Sequence, residues 1–117
     1  MPEGDTLFRT ATVLHEALAG QCVTRFDAAA ARVNVEAHRA GIIGGEVESV
    51  RSWGKHLLIR IKGCGTLRTH LGMRGTWHLY RSGSPWRLPA WKACVILETE
   101  AVTSVCFGAP QVEWITK

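Results

Sequence analysis

The 117-residue sequence predicts a mainly β, α+β domain: an antiparallel two-layer β-sandwich with an N-terminal helix packed at its edge. Three observations carry this. Apolar residues recur at helical spacing near the start, seven later stretches alternate with a period of two, and several of those stretches are joined by very short or glycine-rich links. The length fits one domain, 1–117, because a second hydrophobic core would have too few residues left. A composition of 46% hydrophobic and 21% charged residues is that of an ordinary globular protein and excludes a mainly disordered chain.

From Asp5 to Ala19, Leu7, Ala11, Leu14 and Leu18 fall on one helical face, with Asp5 as the N-cap and Gly20 as the C-terminal stop. The period then becomes two over Cys22–Ala28, Glu46–Trp53, His56–Ile61, Thr66–Leu71, Thr76–Arg81, Cys94–Thr99 and Val102–Phe107, which read as strands. Lys62-Gly63-Cys64-Gly65 and Glu100-Ala101 are hairpin links, so the strands they join run antiparallel. The helix then covers an exposed sheet edge and stays peripheral to the sheet core. Ala28–Ala31 and Arg32–Gly45 fit either a short helix or an irregular crossover, and Ser82–Lys92, with two prolines and a glycine, reads as a long loop.

Fourteen Lys and Arg against ten Asp and Glu give a net charge of +4, which favours a polyanionic partner if the cations gather on one face. No run is long and apolar enough to span a bilayer, and the opening MPEGDT has acids where a secretion signal carries bases, so the chain reads as cytoplasmic. Cys22, Cys64, Cys94 and Cys106 include no C-x-x-C pair; they read as mostly buried thiols, with no metal site. P-loop, dinucleotide-binding and G-x-S-x-G motifs are absent.

The chemistry concentrates in three places. Pro2 follows the initiator Met, and a residue that small permits its removal, leaving a free secondary amine. An α-amino group of pKa about 8 is neutral in roughly a tenth of molecules at pH 7. The positive end of the following helix lowers that pKa, and Glu3 opposes the shift. Such an amine can attack the C1′ aldehyde of an opened deoxyribose, and the resulting iminium acidifies the C2′ hydrogen and drives phosphate elimination. Glu3, fixed beside it, is the acid/base candidate. Lys55, after Gly54 and between two strands, can reach a phosphate; it also fits a plain turn lysine. Thr69-His70-Leu71-Gly72-Met73-Arg74-Gly75 presents an apolar wedge beside a cation, as a base-flipping protein needs to fill the gap of an extruded nucleotide. Taken alone, Met73 reads more readily as a core gap-filler, because Met commonly fills irregular gaps. Trp77-His78-Leu79-Tyr80-Arg81, continued by Trp86, Arg87, Trp91 and Lys92, interleaves aromatics with cations as nucleic-acid surfaces do. Within it Trp77 and Leu79 alternate as core residues would, and Trp53 and Trp114 read as packing residues.

Together, Met1-Pro2-Glu3-Gly4-Asp5-Thr6, Gly54-Lys55-His56-Leu57-Leu58 and Thr69–Gly75 resemble the N-terminal catalytic domain of the formamidopyrimidine-DNA glycosylase / endonuclease VIII family. The opening and the Trp77–Arg81 continuation resemble its actinobacterial endonuclease VIII branch. The resemblance covers essentially the whole chain. It implies a helix-flanked β-sandwich and a base-excision repair enzyme that excises oxidised bases, favouring pyrimidines, and then nicks damaged double-stranded DNA by β,δ-elimination. It further implies Pro2 as the Schiff-base nucleophile, Glu3 as general acid, Lys55 as a catalytic lysine on the lesion's phosphate, His70 as a phosphate contact and Met73 as the wedge, with Arg74 beside it on the DNA. Localisation would be bacterial and nucleoid-associated.

Two departures accompany it. Family members continue into a helix-two-turn-helix domain and usually a zinc finger; neither is in this sequence, which therefore reads as a truncated N-terminal domain, weak or inactive alone, with its C-terminal domain as an expected partner and no cofactor of its own. The segment Phe107-Gly108-Ala109-Pro110 lacks the arginine and phenylalanine with which the purine-directed branch completes its wedge, although the Met wedge itself occurs in that branch. Two other readings stand beside this one: a non-catalytic DNA-binding or interaction module, and a tautomerase-like enzyme with a proline general base, which the antiparallel strands disfavour.

Overall fold

The computed structural model describes residues 3–86 and 89–117, with side chains from Thr6 onward except that of Ala90. Two helices and eight strands follow in the order α1 (Glu3–Leu18), β1 (Arg25–Ala28), α2 (Ala31–Arg39), β2 (Val47–Trp53), β3 (His56–Ile61), β4 (Gly65–His70), β5 (Thr76–Arg81), β6 (Ala93–Glu98), β7 (Val102–Phe107) and β8 (Gln111–Thr116). They build two four-stranded antiparallel sheets, ordered β1-β6-β7-β5 and β2-β3-β4-β8, so the expected sandwich is the fold. The seven expected strands are present with ends moved by up to three residues, and the tail adds the eighth beside β4.

The core lies between the sheets. Phe26, Leu57, Ile59, Leu67, Val95, Leu97 and Cys106 are at most 1% exposed, and Trp77 and Trp114 close the same cluster. β6 and β7 are apolar on both faces because Ile96, Val105 and Phe107 form a second, smaller cluster on the outer face, under Tyr80 and Trp86. Helix α1 buries the expected stripe of Leu7, Ala11, Leu14 and Leu18 against β2, an edge strand, so it packs at the sheet edge as the periodicity predicts. It is more than an edge cover, since these four residues belong to the main core. Its position is fixed by the Val50 amide, which donates to His15 Nδ1 at 3.0 Å. The helix begins at Glu3, so Asp5 lies within its first turn and is not the N-cap.

Part of the segment left open between helix and crossover is α2. Val33 and Ala37, four residues apart, are its buried side. Two hydrogen bonds dock it on β1: the Ala28 amide donates to Asn34 Oδ1 at 3.0 Å, and His38 Nε2 bonds the Phe26 carbonyl at 2.8 Å. The expected loop over 82–92 holds a single 3-10 turn, Ala90–Lys92. Two packing expectations are corrected. Of the four free thiols, Cys106 is buried, Cys64 and Cys94 are half-buried and Cys22 is exposed, because Cys22 lies in the link after α1 rather than inside a strand. Trp53 is 74% exposed, because it ends edge strand β2 where, among the described residues, no other element covers it. Trp114 and Trp77 do pack.

Candidate functional site

The cleft that Lys55 and Met73 share is made by two turns meeting a helix. Trp53 pairs with His56 across the two-residue turn Gly54-Lys55, and Gly54 takes φ +59, a value that a side chain would strain. This hairpin projects Lys55 from the end of β2–β3 as an exposed cation. The β4–β5 link, Leu71–Gly75, is closed by the Gly75 amide donating to the Leu71 carbonyl at 2.7 Å, which pushes Met73 out to 79% exposure with Arg74 exposed beside it. Lys55, Gly72, Met73 and Gly75 line a cleft of about 340 Å³ together with Thr6, Leu7 and Thr10 of α1 and Thr76, Trp77 and His78 of β5. Met73 is therefore a solvent-facing side chain, not a core gap-filler.

Beneath this cleft the scaffold is rigidly bonded. Trp77 Nε1 donates to Thr69 Oγ1 at 3.2 Å, and Thr69 donates in turn to the Leu57 carbonyl at 3.4 Å, tying the two sheets together. Phe107–Pro110 supports the Met73 loop from behind: Gly108 has φ +71, and a Cβ there would meet the Arg74 carbonyl at 2.9 Å. Among the described residues, neither Lys55 nor Arg74 joins any of the five ion pairs, so both cations face solvent uncompensated.

His70 lies outside the cleft lining but next to it. It is directly opposite His56 in the β3–β4 register, and the two rings stack tilted with centroids 4.8 Å apart. Burial holds the His56 imidazole below its ordinary value, with His70 and then Arg68 adding to the effect, and His56 Nδ1 is a buried atom without a hydrogen-bond partner among the described residues. His56, Thr10 and His78 are site residues that the sequence reading did not single out; strand register was the missing signal for His56. Pro2 and the Glu3 side chain lie outside the described residues, while the Glu3 backbone opens α1, whose first turns line the cleft. The aromatic–cation segment divides: Trp77 is core, His78, Tyr80 and Trp86 stack in a row on the outer face at 6.2 and 6.1 Å, and Trp91 is exposed under Lys92 Nζ at 5.2 Å.

A family model for the formamidopyrimidine-DNA glycosylase N-terminal domain matches residues 1–111. The chain belongs to that family. It is 40% identical over 111 residues to the "Probable endonuclease 8 2" of Streptomyces coelicolor, covering 94% of this chain and 39% of the relative. It is also 38% identical over 100 residues to the "DNA-(apurinic or apyrimidinic site) lyase Nei2" of Mycolicibacterium smegmatis, covering 85% of this chain and 36% of that one. The chain thus spans about two fifths of the length of the curated relatives it matches. Among solved structures, its fold matches the Lactococcus lactis formamidopyrimidine-DNA glycosylase non-covalently bound to DNA containing an abasic site, with TM-score 0.75 at 20% identity over 98% of this chain and 44% of that one. MutM in complex with DNA containing carbocyclic 8-oxoguanine matches with TM-score 0.76 at 20% identity, over 99% of this chain and 44% of the other. Among the described residues, no helix is long and apolar enough to cross a membrane, and no three His, Cys, Asp or Glu side chains gather as a metal site. The zinc that the resemblance places in a separate finger has no ligand set among the described residues.

Proposed function

We propose that this chain carries the chemical groups of a DNA glycosylase with abasic-site lyase activity, acting on oxidised bases in duplex DNA as the N-terminal catalytic half of such an enzyme. The observation supporting it is the meeting of three separate sequence blocks at one cleft: the first turns of α1, the Lys55 hairpin and the Met73 loop. In this reading Met73 enters the base stack where a nucleotide has been extruded, and Lys55, Arg74 and His70 hold the flanking phosphates. The neutral amine of Pro2 adds to the C1′ aldehyde of the opened sugar, Glu3 exchanges the proton at the ring oxygen and supplies the one with which the C1′ oxygen leaves as water, and the resulting iminium allows loss of the C2′ hydrogen with departure of the 3′ phosphate. Oxidised pyrimidines are the preferred lesion class, in keeping with the endonuclease 8 names of the relatives.

Borohydride trapping on an abasic-site duplex tests the reading. The expected result is a covalent protein–DNA adduct that peptide mapping places on Pro2 and that disappears when the N-terminal amine is blocked. An adduct on a lysine, or one that survives blocking, overturns the assignment of the nucleophile. DNA binding with no adduct, in a preparation whose intact mass shows Met1 removed, would favour the non-catalytic module.

A further inference from the structure

Two thiols outside the cleft lie side by side at a defect in the first sheet. The β6–β7 register shifts between Ala93 and Val95, so Cys94 is the extra residue of a bulge opposite Cys106. In regular alternation Cys94 would face away from the side that Val95 occupies; the bulge turns it inward, and it packs on the same core that contains Val95 and Cys106. The Cys94 thiol lies 3.2 Å from the Cys106 carbonyl, to which it donates. Cys94 is half-buried, whereas Cys106 is fully enclosed. The neighbouring Cys106 side chain holds the Cys94 thiol below its usual value, and the same pairing together with burial pushes Cys106 up. That polarity suits an accessible attacking sulfur backed by a sheltered second thiol.

We propose that Cys94 and Cys106 form an oxidisable dithiol, a modification site for hydroperoxides that closes to a disulfide across the bulge. The Cys94 thiolate attacks a peroxide oxygen, the O–O bond breaks, and the leaving oxygen takes a proton as alcohol or water, leaving Cys94 as a sulfenic acid. The Cys106 sulfur then attacks the Cys94 sulfur; its thiol proton departs with the sulfenic oxygen as water, and the S–S bond forms. Two electrons pass from the sulfurs to the peroxide. The bridge would sit beside Phe107–Pro110, the segment behind the Met73 loop, yet its formation does not depend on the lyase reading.

The test is hydrogen peroxide treatment of the Cys22→Ser/Cys64→Ser variant, followed by thiol counting and mass mapping after cleavage at acidic residues, because Glu98 and Glu100 separate the two cysteines whereas trypsin does not. The expected product is a monomer lighter by two hydrogens, with both thiols lost, the 94 and 106 peptides joined, and full reversal by dithiothreitol. Cys94→Ser in the same background should leave Cys106 free at the same exposure. The unsubstituted protein, mapped identically, provides the result independently of how the variants fold. Cys94 carried to sulfinic acid with Cys106 still free, bridges through Cys22 or Cys64 instead, or both thiols untouched would each overturn the proposal.

Discussion

Lys55 sits on a turn whose geometry leaves its ammonium group exposed and, among the described residues, unpaired, so its removal should spare the fold and, on the proposed function, weaken the hold on DNA. Lys55→Ala should leave unfolding stability within about 0.5 kcal/mol of the parent. It should weaken binding to an abasic-site duplex and lower the slope of log affinity against log salt by about 0.9, the signature of one lost phosphate contact. An unchanged slope would remove Lys55 from the DNA surface. His56 behaves oppositely, because its imidazole is held below its ordinary 6.5 by burial first, then by His70 and Arg68. Between the depressed folded value and 6.5, the unfolded chain takes up a proton that the folded chain refuses. Stability is therefore complete above about pH 6.5 and declines as pH falls through that window. Urea midpoints measured from pH 8 to 5 should show this decline, reduced in His56→Phe; in His70→Gln, NMR titration should find the His56 value raised toward normal.

At the scale of elements, the Met73 loop depends on the turn behind it. Gly108→Ala places a Cβ at φ +71 and 2.9 Å from the Arg74 carbonyl, so it should cost about 1–3 kcal/mol in urea unfolding and weaken duplex binding beyond what that stability loss explains. Equal stability of the two proteins would show that the turn is free to relax. The same comparison of loops and elements shows what was legible in the sequence. The α1 stripe, the alternating strands and the glycine-bearing hairpins are local patterns, and each was readable. Helix α2 was not, because Ala30 offers no side-chain cap and the helix is held by Asn34 and His38 bonding to β1, a tertiary cause. Strand β8 gains its place from pairing with β4, where Arg68 and Glu113 form an ion pair across the register. The three motif blocks were legible in the sequence, whereas the cleft they border and the His56–His70 contact arise from pairing between strands.

For the molecule as a whole, α1 joins the core to the cleft. Its inner stripe closes the core along β2, and its first turns form one wall of the cleft. Leu14, 2% exposed, is a central residue of that stripe, and Leu14→Ala should cost about 2–5 kcal/mol. Against a typical domain stability of about 5–15 kcal/mol, this is a large fraction, and it should lower Tm by roughly 10 °C or more. Phe8, on the same helix but 63% exposed, makes the contrast: Phe8→Ala should shift stability by no more than about 0.5 kcal/mol. Calorimetry of the pair, alongside adduct yield measured as a function of temperature, separates the two roles of the helix. If α1 presents the amine only while docked, the Leu14→Ala protein should trap abasic-site DNA normally in the cold and lose trapping together with its lowered Tm, while Phe8→Ala follows the parent. Trapping by Leu14→Ala that persists above its own melting transition would show that the amine reacts without the cleft, and that the convergence on α1 is not what makes the chemistry possible.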